Sequence, residues 1–598
     1  MNETTGRDRS RQPSKSEIDT VLRAFERRSH AEMERAARAL SVAYPASPFA
    51  WKALGLALLL MGDAKAAAAP LQRSVELKAD DPEVFFYIAA VWRNLGQPDR
   101  AEASYLRAID LRPEYAEAHF ELGSVLVGLK RFAEAEPHFR QSTRTQSLAV
   151  RGHMGLGVTL RFLGRLDEAE RSFQRALSLE PSNPTCHFNL GNFLRDTRRF
   201  AEAEASYRRA IELDAGQLQA MNNLAETLVD LGRLDEAVAG YDKALALRPG
   251  YAGAHNNRGI ALRELGRFDE AVASFDKALS LAPDYAEAAH NKSLTLLLVG
   301  DLESGWPLYQ WRKRTSAPVG DRKFARPLLT GIDDFEDKIV LVHWEQGFGD
   351  TLQFCRYVPL LQRAGATVLF AAQPRLRRLL RSLAGAFELV DLDRLDSRFD
   401  CHAPLVDLPS IFRTSLDSIP AETSYLRANP ERIEKWRKRL GDGGFKIGIC
   451  WQGHSSYPRD GDRSFAVKHF AAISRIPGVR LINLHKGEGE GQLNDLPEGM
   501  TVETHGDDFD AGPDAFLDTA AVMTLCDLVV TSDTAVAHLA GALGARTWVA
   551  LKAIPDWRWM LERDDSPWYP TLRLFRQRVR GDWETVFREI EEAVKALL

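Results

Sequence analysis

The chain repeats itself every 34 residues. Units beginning at 48, 82, 116, 150, 184, 218, 252 and 286 align with one another without a single insertion. The twentieth position is then Ala67, Ala101, Ala135, Ala169, Ala203, Ala237 and Ala271, and the twenty-fourth is large in every unit, from Leu71 and Tyr105 to Phe275 and Tyr309. Gly55, Gly123, Gly157, Gly191 and Gly259 fall at position eight, and Pro113, Pro181, Pro249 and Pro283 at position thirty-two. Two short antiparallel helices pack closely only where a small residue faces a large one, and a proline after the second helix stops it. A unit of this size cannot bury its own apolar face, so neighbours must stack into an α-solenoid with a concave groove. A degenerate ninth unit is expected at 14–47, where Pro45 keeps the register. Charged helix ends such as RRFAEAEASYRRA (198–210) read as solvated faces.

After GWPLYQWRKR (305–314) the period changes. Strand-length apolar runs alternate with helical patterns: KIVLVHW (338–344), TVLFAA (367–372), FELVDL (387–392), FKIGICWQG (445–453), VRLINLHK (479–486), DLVVTSD (527–533) and RTWVALKA (546–553). Such alternation predicts parallel α/β sheets. There are two sets, with the charged helical segment 429–444 between them, so the reading is two Rossmann-like lobes and a ligand cleft beyond the carboxyl ends of their strands. The predicted organisation is a disordered tail at 1–13, the solenoid at 14–319, a first lobe at 320–440 and a second at 441–598. A chain of 598 residues is too long for one core and suits this division.

Several classes drop out. Lys+Arg 78 against Asp+Glu 83 leaves a net charge of −5, so there is no whole-chain basic footprint for nucleic acid. The polar opening MNETTGRDRSRQPSKSE lacks the apolar core of a secretory signal, and LGLALLLMG (54–62) is half the length a bilayer needs. No stable membrane insertion is expected, and the localisation read from this is cytoplasmic. Five scattered cysteines (Cys186, Cys355, Cys401, Cys450, Cys526) form no C-x-x-C and read as buried thiols. The acidic stretches DGD (460–462) and DDFD (507–510) are discounted as metal motifs.

Three strand ends carry candidate chemistry. In HWEQGFGDTLQF, Gly347 and Gly349 are expected to make a tight turn beside Gln346, and Asp350 opens the next helix. It reads either as a capping residue or as a general base in the cleft; Glu345 is a weaker candidate for the base. In TSDTAVAHLAGALG (531–544), Asp533 or Thr534, after Ser532, caps a helix whose free N–H groups suit a phosphate, and His538 lies one turn along. Ala535, Ala540, Gly541 and Gly544 are expected to let that helix lie close to its sheet. In LHKG (484–487), Lys486 is a surface lysine or a point charge for a leaving phosphate. Trp451, Gln452, His454 and Arg463 line a longer loop and are weaker candidates for phosphate or sugar contacts.

These motifs carry a resemblance. Residues 48–319 resemble tetratricopeptide repeats. GFGD (347–350) and SDTAVAHLAGALG (532–544) resemble the Gly-Asp and Asp-Thr-x-x-x-His motifs of heptosyltransferase-like GT-B glycosyltransferases. DRSF (462–465), LHKG, PDWRWML (555–561) and SPWYPTLRLFRQ (566–577) resemble a subgroup in which that unit follows tetratricopeptide repeats, including alphaproteobacterial flagellin O-glycosyltransferases. The resemblance implies a base at Asp350, nucleotide phosphates at Asp533, Thr534 and His538, and no metal cofactor. It further implies a nucleotide-sugar donor, either a CMP-activated nonulosonic acid such as pseudaminic acid or ADP-heptose, and Ser/Thr of a protein acceptor such as flagellin.

Two other readings stay open: a recruitment scaffold with an inactive transferase unit, and a glycolipid or lipopolysaccharide transferase, for which the aromatic PDWRW and SPWYP would form a membrane-facing patch. One repeat column bears on the acceptor. Asn189, Asn223, Asn257 and Asn291 occupy position six of the last four units. A primary amide pairs with any peptide backbone, so this ladder either clamps an extended acceptor or bonds locally between helices.

Overall fold

The 34-residue register becomes a register of helical hairpins. The structure, a computed structural model, describes residues 12–317, 322–331, 335–395, 398–453 and 460–598. Residues 1–11 of the expected tail, the expected 319/320 boundary and His454 lie outside the described residues. The chain divides into two compact units, Met1–Leu247 and Arg248–Leu598.

The first unit is seven hairpins, from Lys15–Glu26 with His30–Ala43 through Leu218–Asp230 with Leu234–Leu247. Its alanines at position twenty are fully buried. A Cβ added to Gly123, Gly157 or Gly191 would lie 3.0, 2.8 or 2.7 Å from Phe139, Phe173 or Tyr207, so position eight is small because position twenty-four of the same hairpin rests on it. The charged helix ends do more than face solvent. Arg131, Arg165, Arg199 and Arg233 each bridge a glutamate of their own unit (Glu134, Glu168, Glu202, Glu236) and one of the unit before (Glu102, Glu136, Glu170, Glu204), at 2.6–2.8 Å. The expectation of merely solvated faces is corrected by this ladder.

The second unit opens with two more hairpins, Ala252–Glu264 with Phe268–Leu281 and Ala286–Leu298 with the shortened Leu302–Tyr309. Two all-parallel sheets follow. The first contains β1 (Ile339–His343), β2 (Thr367–Ala371), β3 (Glu388–Leu389) and β4 (Cys401–Pro404) in the order β3-β2-β1-β4. The second contains β5 (Phe445–Cys450), β6 (Val479–Asn483), β7 (Leu528–Ser532), β8 (Thr547–Leu551) and β9 (Leu572–Arg576) in the order β6-β5-β7-β8-β9. All seven anticipated strands are present, joined by β4 and β9. The order of the second sheet is the doubly wound 2-1-3-4-5 arrangement, whose crevice opens between the ends of its first and third strands, here β5 and β7.

One core joins the last hairpin to both sheets. Trp306 and Tyr309 lie 5.2 and 5.9 Å from the Trp557 ring, and Phe354 and Trp306 pack edge-on to Trp568. Trp557, Trp559, Trp568 and Tyr569 are all buried. The aromatic PDWRW and SPWYP segments therefore build this core and do not supply the membrane-facing patch expected of a glycolipid transferase. Among the described residues, no helix is long and apolar enough to cross a membrane.

Candidate active site

Backbone direction sets the site. β1 ends at His343, and the chain turns through Gln346 and Gly347 into the helix Phe348–Phe354. β7 ends at Ser532, and Thr534 starts the helix Ala535–Leu543. These two helices meet. A Cβ on Gly349 would lie 2.9 Å from His538 Cδ2 and 3.6 Å from Ala535 Cα. Gly347 lies in the turn as expected, while Gly349 falls inside the helix, where its lack of a side chain permits this close approach.

Asp350 stands at the third position of its helix. Its Oδ2 accepts from the Gly347 N–H at 3.0 Å and its Oδ1 from Arg558 Nη2 at 2.5 Å. Burial lifts its carboxyl above the ordinary value, against the pull of Arg558. Arg558, in the turn Trp557–Trp559, also donates to Gln353 Oε1 at 2.7 Å and Asp556 Oδ1 at 2.8 Å. Burial works against ionisation of Asp556, but Arg558 and a backbone N–H outweigh it and hold its carboxyl below the usual range. Asp533 goes the other way: burial first, and Asp556 second, push it up to about 6.

The Thr534 side chain makes no capping hydrogen bond at the start of Ala535–Leu543. Thr534 Oγ1 sits 3.5 Å from the Ser532 carbonyl, and the fully buried Ser532 Oγ has no hydrogen-bond partner among the described residues. His538 is buried, stacked on Trp559 at 5.3 Å and 2.9 Å from the Tyr569 hydroxyl through Nδ1. Burial, with Arg558 second, lowers it to about 3, so the ring is neutral near pH 7; burial holds the Tyr569 hydroxyl at about 12. When Tyr569 donates, the imidazole's own proton sits on Nε2, facing Gly349. Gly541 meets the Tyr569 ring, where a Cβ would lie 2.3 Å away, and Gly544 ends the helix at φ +73°. These two glycines fit Tyr569 and the helix end, a correction to the expected fit against the sheet.

Other anticipated residues lie elsewhere. Glu345 is locked with Arg312 at 2.6 and 2.9 Å, and Arg312 also holds Asp407 at 2.6 Å. These side chains are at most 2% exposed, which removes Glu345 as a base. Lys486 donates to the carbonyls of Phe509 and Asp510, so its ammonium is committed to backbone rather than turned to a phosphate. Gln346 Nε2 donates to the Tyr309 hydroxyl at 3.4 Å, which brings the last repeat to the site. Trp451 is fully buried against His485, and Gln452 Oε1 accepts from Gln492 at 3.2 Å. Arg463 is half-buried, and its charge acts on Asp533. In DDFD, Asp508 pairs with Lys435 and Arg439, and Asp510 accepts from Asp518 N and Thr519 Oγ1.

The asparagines bond locally. In the first unit Asn189 Nδ2 meets Met154 Sδ at 3.4 Å, and Asn223 donates to Asn192 at 2.8 Å. In the second, Asn256 donates to Asn257 and accepts from Asn291, both at 3.0 Å. Asn189 nonetheless borders a cavity of about 290 Å³ lined by Phe120, Phe139, Arg151 and Met154.

Comparison with known proteins bears on the array. A tetratricopeptide-repeat family model matches residues 93–150, 154–217 and 222–286. The chain carries tetratricopeptide repeats. Protein FlbA of Caulobacter vibrioides is 26% identical over 325 residues, covering 50% of this chain. The chain spans about half the length of that curated relative, 53%. Among solved structures, Pseudomonas aeruginosa PilF is 19% identical, covering 35% of this chain and 94% of its own at a TM-score of 0.31. YrrB, described as a tetratricopeptide-repeat protein with an unusual peptide-binding site, is 23% identical, covering 38% and 98% at a TM-score of 0.24.

Arg558, Asp556, Gln353 and Tyr309 were not singled out from sequence as site residues. The available signal was an arginine between two tryptophans, a cation placed where the rings would bury it.

Proposed function

We propose that the chain is a GT-B protein O-glycosyltransferase acting on Ser/Thr of a protein acceptor brought by the repeats. The observation that carries this reading is the packing of the helix that bears Asp350, from the first lobe, through Gly349 against Ala535 and His538 of the helix that follows β7, from the second. A carboxylate and a helix start then belong to one crevice, the pairing that a hydroxyl acceptor and a sugar phosphate would call for. Asp350 takes the proton of the acceptor hydroxyl, and the oxygen attacks the anomeric carbon. The bond to phosphate breaks with its electron pair leaving on the nucleotide, inverting the centre in one displacement. The helix start and Arg558 offset the charge of the leaving phosphate, and no metal is invoked.

The donor is a nucleotide-sugar, with a CMP-activated nonulosonic acid such as pseudaminic acid as the leading choice and ADP-heptose next. The acceptor is a cytoplasmic protein such as flagellin. The cavity beside Asn189 supports a role for the repeats in holding it.

The test is thermal stabilisation of the full chain by CMP, CDP, UDP, GDP and ADP, followed by transfer from the corresponding sugar donor with and without Asp350→Asn. A ligand that binds only the folded state raises the melting point. One base giving a shift, and loss of transfer in Asp350→Asn, supports the reading. The engagement of both Asp350 oxygens is also what a structural latch would show, so no shift with any nucleotide would leave a recruitment scaffold as the conclusion.

A further inference from the structure

Arg558 is the one cation that touches Asp350 among the described residues, and it has more than one claim on it. Its three nitrogens donate to Gln353, Asp556 and Asp350. The neighbouring Trp559 stacks on His538, one turn into the helix Ala535–Leu543, and the Arg558 charge acts on both Asp533 and His538. Asp350 in turn has both oxygens occupied, one by Arg558 and one by the Gly347 N–H. Both contacts oppose the burial that lifts its carboxyl, and both occupy the oxygens that would have to reach an acceptor hydroxyl.

We propose that the donor's phosphate competes with Asp350 for Arg558, so that donor binding releases the base. This rests on the reading of the cleft as a nucleotide-sugar site. A guanidinium matches phosphate and carboxylate alike through its planar fork, and a phosphate at the start of Ala535–Leu543 brings more charge than one carboxylate. When Arg558 swings its Nη2 to the phosphate, Asp350 Oδ1 is left facing the acceptor hydroxyl. The cleft then holds an unpaired carboxylate only while a donor is in place, and the acceptor hydroxyl is activated only when there is a sugar to receive.

The experiment is calorimetric titration of the full chain with whichever of CMP, CDP, UDP, GDP or ADP stabilises it, across Asp350→Asn, Arg558→Lys, Arg558→Gln and the double variant Asp350→Asn/Arg558→Gln. Competition predicts that Asp350→Asn tightens nucleotide binding about tenfold and Arg558→Gln weakens it by a similar factor. In the Arg558→Gln background, Asp350→Asn should then change nothing, and Arg558→Lys should keep part of the coupling. Unchanged affinity in Asp350→Asn overturns the proposal; this variant is nearly isosteric, so the outcome does not depend on whether the Arg558 variants fold. Equal tightening in both backgrounds overturns it too, because the effect would then be repulsion through space. If no nucleotide binds the unaltered chain, the reading of the cleft falls and takes this proposal with it. If one binds but Asp350→Asn does not tighten it, only the competition falls.

Discussion

Gly349→Ala places one methyl group between the two helices that form the site. The new Cβ would stand 2.9 Å from His538 Cδ2, where ordinary contact begins at about 3.4 Å, so the elements must part by about 0.5 Å. The imidazole has nowhere to go: it is stacked on Trp559, bonded to Tyr569 and 6% exposed. Overpacking of this kind costs about 1–3 kcal/mol, which for a large unit lowers the melting temperature by about 2–6 °C. The same displacement falls on the neighbouring Asp350, and if Asp350 is the base proposed above, a shift of that size should lower transfer by about tenfold or more. Gly347→Ala is the internal control. Its Cβ would meet nothing nearer than Asp350 Oδ2 at 3.5 Å and its φ is −69°, so it should fall within about 0.5 kcal/mol of the unaltered chain. The assay is calorimetry of both variants with tryptophan fluorescence reporting on the second unit, where Trp557, Trp559 and Trp568 lie. Equal melting of the two variants would refute the claim that Gly349 is small because His538 rests on it.

Arg312→Leu should destabilise the second unit by about 3–5 kcal/mol in urea unfolding, because it strands Glu345 and Asp407 without their buried partner; a loss below 1 kcal/mol would show that water or Lys313 compensates. Asp533 sets a pH dependence. Its folded value, about 6, lies above the ordinary carboxylate value, so ionising it costs folded-state stability as pH rises from about 4 through 6, and Asp533→Asn should flatten that part of the stability profile. Nucleotide affinity should also weaken as pH rises through 6, as an anionic Asp533 meets the phosphate, and a flat affinity between pH 5 and 7.5 would contradict this. A variant without the first seven hairpins should start at 248 and keep the last two: a cut at 300 would remove the Ala286–Leu298 helix, including the buried Leu297 and Leu298 that pack in the core of the lobes, and such a variant should be recovered insoluble while the 248–598 chain folds.

Much of this was legible because it is periodic or compositional. The alanines at position twenty and the aromatics at twenty-four declare a helix pair to any alignment of the chain with itself, and the β-branched runs at 338–344 and 527–533 declare buried strands. β4 escaped because four residues ending in Pro404 make no run, and β9 because Arg573 and Arg576 break its apolar pattern. The site was legible to the extent that it sits on strand ends: Asp350, Ser532, Asp533 and Thr534 follow from where strands stop. Its partners were not, since Arg558 meets Asp350 across 208 residues of chain and no spacing rule connects them. Glu345 was misjudged for the same reason: its neighbour in sequence is a candidate site, while its neighbour in space is Arg312. The ladder of Arg131, Arg165, Arg199 and Arg233 escaped because each reaches a glutamate 29 residues back, beyond any pattern confined to one helix.

That ladder has a consequence for how such a chain can change over time. From the unit at 82 to the unit at 218, each arginine presents the same fork to the unit before it and meets the same glutamate there, so those four joints are interchangeable parts. A duplicated or deleted 34-residue stretch there finds a matching joint on both sides, and the array can lengthen or shorten without inventing a new interface. The last hairpin has given up that freedom. Its second helix stops at Tyr309, and Trp306, Tyr309 and Arg312 are spent on the lobes, so the array can be adjusted upstream while the end that packs on the lobes stays fixed.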